Sequence, residues 1–172
     1  MTMTSNQPSV VDDDAFTVRR SITIAAAPEK VWAAVTRPEH ISRWFGHTEF
    51  GGDADVAVAP GASGTITWPG REPVPVRVEA MDAPHSVSYR WSNPCLGEPV
   101  PDAVDDSRST LFTFTLEPTA SGTMLTVVES GFETLPAPAD DMESHRGGWN
   151  GELDKLVVLL ESEAASAGAG AA

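Results

Sequence analysis

The sequence predicts an α+β domain in which a strongly curved, mainly antiparallel sheet wraps a long C-terminal helix. Three observations lead there. Apolar and polar residues alternate in several short segments between residues 16 and 130, the period of half-buried strands. Turn residues separate these segments at short intervals, which joins neighbours as hairpins and favours antiparallel pairing. The segment after Pro138 carries an apolar stripe at helical spacing. One sheet exposes two faces, and a sheet curved around the last helix satisfies both the order of elements and the stripe.

The elements follow in order. Phe16 to Ile24 alternates for most of its length, with Phe16, Val18, Ile22 and Ile24 on one parity. Ala27-Pro28-Glu29 opens a helix, since proline suits a first turn and glutamate its dipole. Val31, Ala34 and Val35 give that helix a core face, with Trp32 beside it. Thr36 followed by Glu39 has the pattern of a capping box for a second short helix. Ile41, Trp44 and Phe45 are its apolar side, and Gly46 is its expected stop. A run of about six strands comes next. Residues 61–68 form one, and Pro69-Gly70 a turn. Val74, Val76 and Val78 share a face of another, whose early prolines argue for an edge or an irregular start. Val87, Tyr89 and Trp91 alternate with serines and Arg90. Residues 93–108 make a long loop. Phe112, Phe114 and Leu116 line one face of a strand that turns over 118–123 and returns through 124–130. In the final helix, Met142, Trp149, Leu153, Leu156 and Leu160 fall within a narrow arc, interrupted by Gly147-Gly148. Those glycines fit a close backbone approach, a kink or an irregular start.

The chain has 172 residues, enough for one domain. Residues 1–14 read as a mobile tail, 15–163 as the structured domain and 164–172, only Ala, Gly and Ser, as a flexible end. Eleven basic against 25 acidic residues give a net charge of −14, a field that repels nucleic acid and anionic membrane surfaces. Solubility alone accounts for such acidity, although it would also aid a cationic ligand or basic partner. No apolar run is long enough to span a membrane, and the N-terminus lacks the layout of a signal peptide. The single cysteine, Cys95, has no basic neighbour to activate it. These features together place the expected site of action in the cytoplasm.

The segment from Ala27 through Gly46, with Pro28, Val31, Trp32, Pro38, Trp44 and Phe45, resembles the N-terminal signature of the START-like (SRPBCC) superfamily. Its branch named after the activator of the Hsp90 ATPase is the most similar. Residues 112–117 with 125–132 resemble the last hairpin of that branch, and 148–156 its C-terminal helix. The resemblance covers most of residues 15–163 in the same order. It implies a helix-grip fold: a curved sheet gripping the last helix, with a cavity between them and two short helices after the first strand. The Ala- and Asp-rich composition fits a bacterial source.

Within such a fold, Trp44, Phe45, Trp68, Tyr89, Trp91, Phe112, Phe114, Glu129, His145 and Trp149 are the candidate ligand-binding residues. Large aromatics mostly fill cores, yet apolar pockets are lined by the same side chains. Glu129 shares parity with Leu125 and Val127 and so points inward if they do, unless the strand ends first. His145 and Arg146 lie one turn before Trp149, at a pocket mouth or in solvent. No metal-ligand spacing, nucleophile elbow or phosphate loop occurs, so neither a metal nor a cofactor is expected and no residue is singled out as catalytic. Asp102, Asp105 and Asp106 lack the spacing of a calcium loop. The leading expectation is a domain that binds a small hydrophobic or aromatic molecule. One alternative is an enzyme resembling polyketide cyclases or dehydratases, using Glu129 with His145 or Arg146. Another is a co-chaperone-like protein-binding module. Trp149 is expected at the cavity end of the stripe, less tightly packed than Leu153, Leu156 and Leu160, with Gly147-Gly148 opening the helix toward the pocket.

Overall fold

The computed structural model describes residues 6–94 and 98–170. Cys95 lies outside the described residues. Eight strands form one antiparallel sheet: β1 (Val10–Asp12), β2 (Thr17–Ile24), β3 (His47–Glu49), β4 (Ser63–Thr67), β5 (Val74–Asp82), β6 (Ser86–Trp91), β7 (Thr110–Thr119) and β8 (Gly122–Ser130). Helices α1 (Pro28–Thr36) and α2 (Pro38–Ile41) follow β2, and α3 (Pro138–Gly170) closes the chain after a short 3-10 turn over Phe132–Thr134. The strand order is β1-β2-β8-β7-β6-β5-β4-β3, so β3 to β8 form a meander and β2 returns to pair with β8. This is the helix-grip arrangement.

The period-2 pattern sets the inner face. Val18, Ile22 and Ile24 on β2, Leu125 and Val127 on β8, Phe112, Phe114 and Leu116 on β7, and Val87, Tyr89 and Trp91 on β6 are all buried. On α3, besides Asp141, the buried positions are Met142, His145, Trp149, Leu153, Leu156 and Leu160, each three or four residues after the last, which is the seam a helix turns toward a sheet. His145 therefore belongs to the stripe itself and not to its flank.

Arg20 breaks the apolar alternation of β2 and has a role of its own. It is almost fully buried and faces α3. Its guanidinium donates to the carbonyls of Trp149 (3.3 Å), Asn150 (2.9 Å) and Gln7 (2.9 Å) and to Asp154 Oδ1 (2.7 Å). Five donors in a fixed fork allow one side chain to hold helix, strand and N-terminal segment together.

The structure differs from the expectations at several points. Val10–Asp12, read within the tail 1–14, pair with Thr17–Arg19, and Ser9 donates through both N and Oγ to Asn150 Oδ1 (2.7 and 2.8 Å). Three residues are too few to show a period, so this edge strand left no signal. At the other end α3 runs to Gly170, into the segment read as flexible from 164. The capping box does not form. Thr36 Oγ1 donates back to Trp32 O (2.7 Å), and α2 starts at Pro38 with no side-chain cap. Gly46 is not a helix stop. A Cβ there would meet Ile66 at 2.7 Å and Trp68 at 2.9 Å, so its small size lets the chain cross β4 closely. β5 is a central strand despite its prolines. Pro75 lies past the last β5–β6 pair, Val76–Trp91, and turns its carbonyl to Ser92 N, so its missing N–H removes no bond from that ladder. The β7–β8 turn is tighter than read, with Thr119 opposite Gly122.

Candidate functional site

Beside α3, the structure places a cavity of about 320 Å³ lined by Phe45, Trp68, Trp91, His145, Gly148 and Trp149, with Arg71, Asn93, Pro94, Ser144 and Glu152 toward the outside. Each wall has a local cause. Trp91 ends β6 on the inward parity, and Trp149 and His145 come from the α3 stripe. Phe45 follows α2, and Trp68 and Arg71 occupy the β4–β5 turn. The rings interlock: Phe45 stacks on Trp149 at 5.6 Å and on Trp91 at 5.9 Å, and Trp68 meets Phe45 edge-on at 5.1 Å. Such offset and edge-to-face contacts fix aromatic walls more firmly than burial alone.

Glu129 lies behind those walls. Fully buried on β8, it faces inward as its parity requires. It does not line the cavity, because its two oxygens are taken. Oε1 accepts from Trp149 Nε1 (2.8 Å), and Oε2 accepts from Trp91 Nε1 (2.9 Å) and Thr110 Oγ1 (2.6 Å). His145 Nδ1 stands 3.0 and 2.9 Å from the two oxygens. One carboxylate thus anchors two indoles and an imidazole that form the cavity's inner wall.

Burial alone would push the Glu129 carboxyl up. The charge of His145 and the hydrogen bonds from His145, Thr110 and Trp91 outweigh it and hold the carboxyl below its ordinary value of 4.5. Burial alone would likewise push the His145 ring down. The charge and hydrogen bond of Glu129, then Asp141 and the Asn93 backbone, hold it above its ordinary 6.5. The pair is therefore a buried carboxylate–imidazolium. The depressed Glu129 contributes stability that is full above 4.5 and is lost as pH falls through its folded value. The raised His145 contributes stability that is full below 6.5 and is lost as pH rises through its folded value. Both contributions are complete between 4.5 and 6.5. Urea unfolding of the protein and of His145→Gln across pH 3 to 9 should give the largest stability difference in that window. A difference constant over the whole range would refute the ion pair.

Of the sequence candidates, Phe45, Trp68, Trp91, His145 and Trp149 come together at the cavity. Trp44, Tyr89, Phe112 and Phe114 are packed in the interior further along the sheet, where Tyr89 Oη donates to Val35 O (2.6 Å) and Trp44 Nε1 to Ala34 O (2.8 Å). The inward parity of Tyr89, Phe112 and Phe114 is real, but these rings and that of Trp44 fill space in the interior. Arg146, offered as a partner of Glu129, instead pairs with Glu143 on the outer face of α3 (2.5 Å). The sequence missed Arg71, Ser144 and Glu152. Arg71 sat in a turn with no pattern. Glu152 follows Gly148 by four residues and so shares its helix face, a signal that was present. Gly147 and Gly148 lie within the continuous α3 and admit no close neighbour. A Cβ at either would touch nothing within 4 Å, and at Gly148 that open space is the cavity.

Asn93 and Pro94 contribute the start of the long loop to the mouth. Further along, through residues 98–101, Asp105 and Arg108, that loop borders a second hollow of about 240 Å³ with Leu135, Pro136 and Asp141. Its acidic residues are used structurally: Asp106 pairs with Arg77 (2.6 Å), and Asp105 accepts from Ser107 Oγ (2.6 Å). Among the described residues no group of His, Cys, Asp and Glu is placed to hold a metal ion.

The family model described as Activator of Hsp90 ATPase homolog 1-like protein matches residues 25–161. The chain belongs to this family. It is the Hsp90-activator-homologue branch of the START-like superfamily that the N-terminal signature, last hairpin and C-terminal helix resemble. No curated protein matches the chain. Among solved structures, a protein from Mesorhizobium loti is similar at 28% identity and TM-score 0.68, over 85% of this chain and 97% of that one. DynU16, a protein of the dynemicin biosynthetic locus, is similar at 24% identity and TM-score 0.66, over 86% of this chain and 48% of that one. The Aha1 dimer of Colwellia psychrerythraea is similar at 20% identity and TM-score 0.64, over 84% of this chain and 96% of that one. The last two likenesses carry the fold alone. Family membership thus accounts for the grip of sheet on α3, while the Glu129 cluster and the cavity in front of it are read from this chain's own residues.

Proposed function

We propose that this member of the family binds a small aromatic or otherwise hydrophobic molecule in the cavity walled by Phe45, Trp68, Trp91 and Trp149. The observation that carries the reading is the wall itself. Four large rings, packed on one another, wall the open space, and the indoles of Trp91 and Trp149 are fixed from behind by Glu129, so the pocket is formed before any ligand enters. Its volume of about 320 Å³ lies near the lower end of the usual range for small-molecule sites, about 300–1,000 Å³, which fits a body of one or two rings. A cytoplasmic setting, a bacterial source and action without nucleic acid belong to the same proposal and rest on composition. Among the described residues no helix is long and apolar enough to cross a membrane.

Three of the five tryptophans line the cavity, so intrinsic fluorescence reports directly on occupancy. A screen of one- and two-ring aromatics should give saturable quenching. Gly148→Leu is the decisive variant. The site has room for a side chain on the helix, and leucine is about 1 kcal/mol better than glycine there, so the protein should fold normally while the cavity is filled. Retained quenching in Gly148→Leu would move the ligand elsewhere.

One observation favours a second reading, an acid–base enzyme. His145 is in the wall and is oriented through Nδ1 by a buried carboxylate, the arrangement that sets an imidazole for proton transfer. Deuterium exchange α to the carbonyl of 2-tetralone, followed by NMR, should be faster with the protein than with His145→Gln. Equal rates would remove this reading.

A further inference from the structure

The outer end of the cavity differs from its walls. In a chain so rich in carboxylates, Arg20, Arg37, Arg43, Arg77, Arg90 and Arg146 each pair with one, and Arg19 and Arg108, which among the described residues do not, are exposed to solvent. Arg71, half-buried at the mouth, pairs with none among the described residues. Its Nη2 reaches only two neutral oxygens, Asn93 Oδ1 and the Pro94 carbonyl, each at a long 3.4 Å. Those contacts aim the guanidinium without neutralising it. The carboxylate that shares the mouth, Glu152, already has a cation: Lys155 Nζ lies 3.1 Å from its Oε2, an ion pair whose angles miss those of a hydrogen bond. The charge deeper in, on His145, is cancelled by Glu129. The uncompensated charge at the cavity is thus the positive one on Arg71.

We infer that the molecule taken by this pocket is an aromatic carboxylate, its flat body against the aromatic wall and its anionic head on the Arg71 guanidinium. The inference rests on the pocket reading above and names the chemistry that would select within it. Guanidinium and carboxylate match as a planar fork-to-fork pair, stronger than either makes with a neutral partner. The aromatic faces by themselves would attract an organic cation, with Glu152 as counter-ion, and that is the rival to be tested. The overall charge of −14 slows the approach of an anion but leaves the local contact intact.

Three probes of one shape separate the possibilities: 2-naphthoate, 2-naphthamide and 2-naphthylmethylammonium, titrated by tryptophan fluorescence and calorimetry. The expected order is naphthoate tightest. Arg71→Gln should weaken naphthoate about tenfold or more and leave the amide within about threefold, while Arg71→Lys restores part of the loss. Glu152→Gln should tighten naphthoate. Near-ultraviolet circular dichroism checks that each variant keeps its aromatic packing. If acid and amide bind equally, or the ammonium binds tightest and loses affinity in Glu152→Gln, the pocket stands and the carboxylate inference falls. If none of the three quenches fluorescence, the pocket reading falls and takes this inference with it.

Discussion

Glu129→Ala should destabilise the protein by about 3–5 kcal/mol, because removing one partner of a buried charge pair strands the other. What is lost is the acceptor for Trp91 Nε1, Trp149 Nε1, Thr110 Oγ1 and His145 Nδ1, all of which stay buried. Trp91 Nε1 keeps Thr110 Oγ1 as an acceptor (2.9 Å), but each donor left without a partner costs about 1–3 kcal/mol, so the variant should relax by admitting water or by turning the Trp149 indole away. Urea unfolding gives the stability change. Near-ultraviolet circular dichroism should show the loss of indole asymmetry in the remaining folded protein. Glu129→Gln keeps an acceptor but brings an amide N–H₂ among donors, and should fall between the two. A loss under about 1 kcal/mol in Glu129→Ala would mean that the network does not hold the wall.

Trp149→Ala should cost about as much as Leu156→Ala, in the ranges of about 3–5 and 2–5 kcal/mol. This departs from the expectation that a pocket wall packs more loosely than the core behind it. Trp149 is 2% exposed and Leu156 0%, so the two lose comparable contacts, and Trp149 also gives up its bond to Glu129. The two variants should separate on binding: Trp149→Ala removes a cavity wall, whereas Leu156→Ala leaves every lining residue in place. Trp149→Phe keeps a ring and drops only the N–H, and should cost about 1–3 kcal/mol. Thermal and urea unfolding, paired with quenching by a bound aromatic, measure both axes. Unchanged ligand affinity in Trp149→Ala would place the binding surface away from α3.

How much of this could be read beforehand follows from what each residue's neighbours in sequence reveal. The strands after α2 and the stripe of α3 were legible because a period repeats a signal many times. Glu129 was legible as inward-facing by parity, but its four donors come from β6, β7 and two turns of α3, which no local pattern joins. Tyr89 and Phe112 share parity with Trp91 and Glu129, yet parity says only that a side chain points inward, not whether α1 and α2 or open space lie opposite. Arg20 is legible in the sequence only as the break in an apolar alternation. A charge at a core position in an otherwise regular strand marks a place where the interior contains backbone carbonyls to meet it. Arg71 had no signal at all, because a turn imposes no period on its residues.

The order of the sheet governs how the chain can close. From β3 to β8 every neighbour in space is a neighbour in sequence, so apart from the long β6–β7 connection those contacts close over short spans. The seam between β2 and β8 is different: Ser21 and Thr126, which share a hydrogen bond across it, are 105 positions apart. Arg20 reaches across a similar span to α3. Loop-closure entropy is spent on that seam before its bonds return anything, which ranks the protein among slower-folding domains of its size. The cavity inherits this order. Its walls come from β6, the β4–β5 turn, the segment after α2 and α3, and α3 is held over the sheet by β2. A chain whose meander has formed but whose first long strand has not yet docked therefore has the rings and not the pocket.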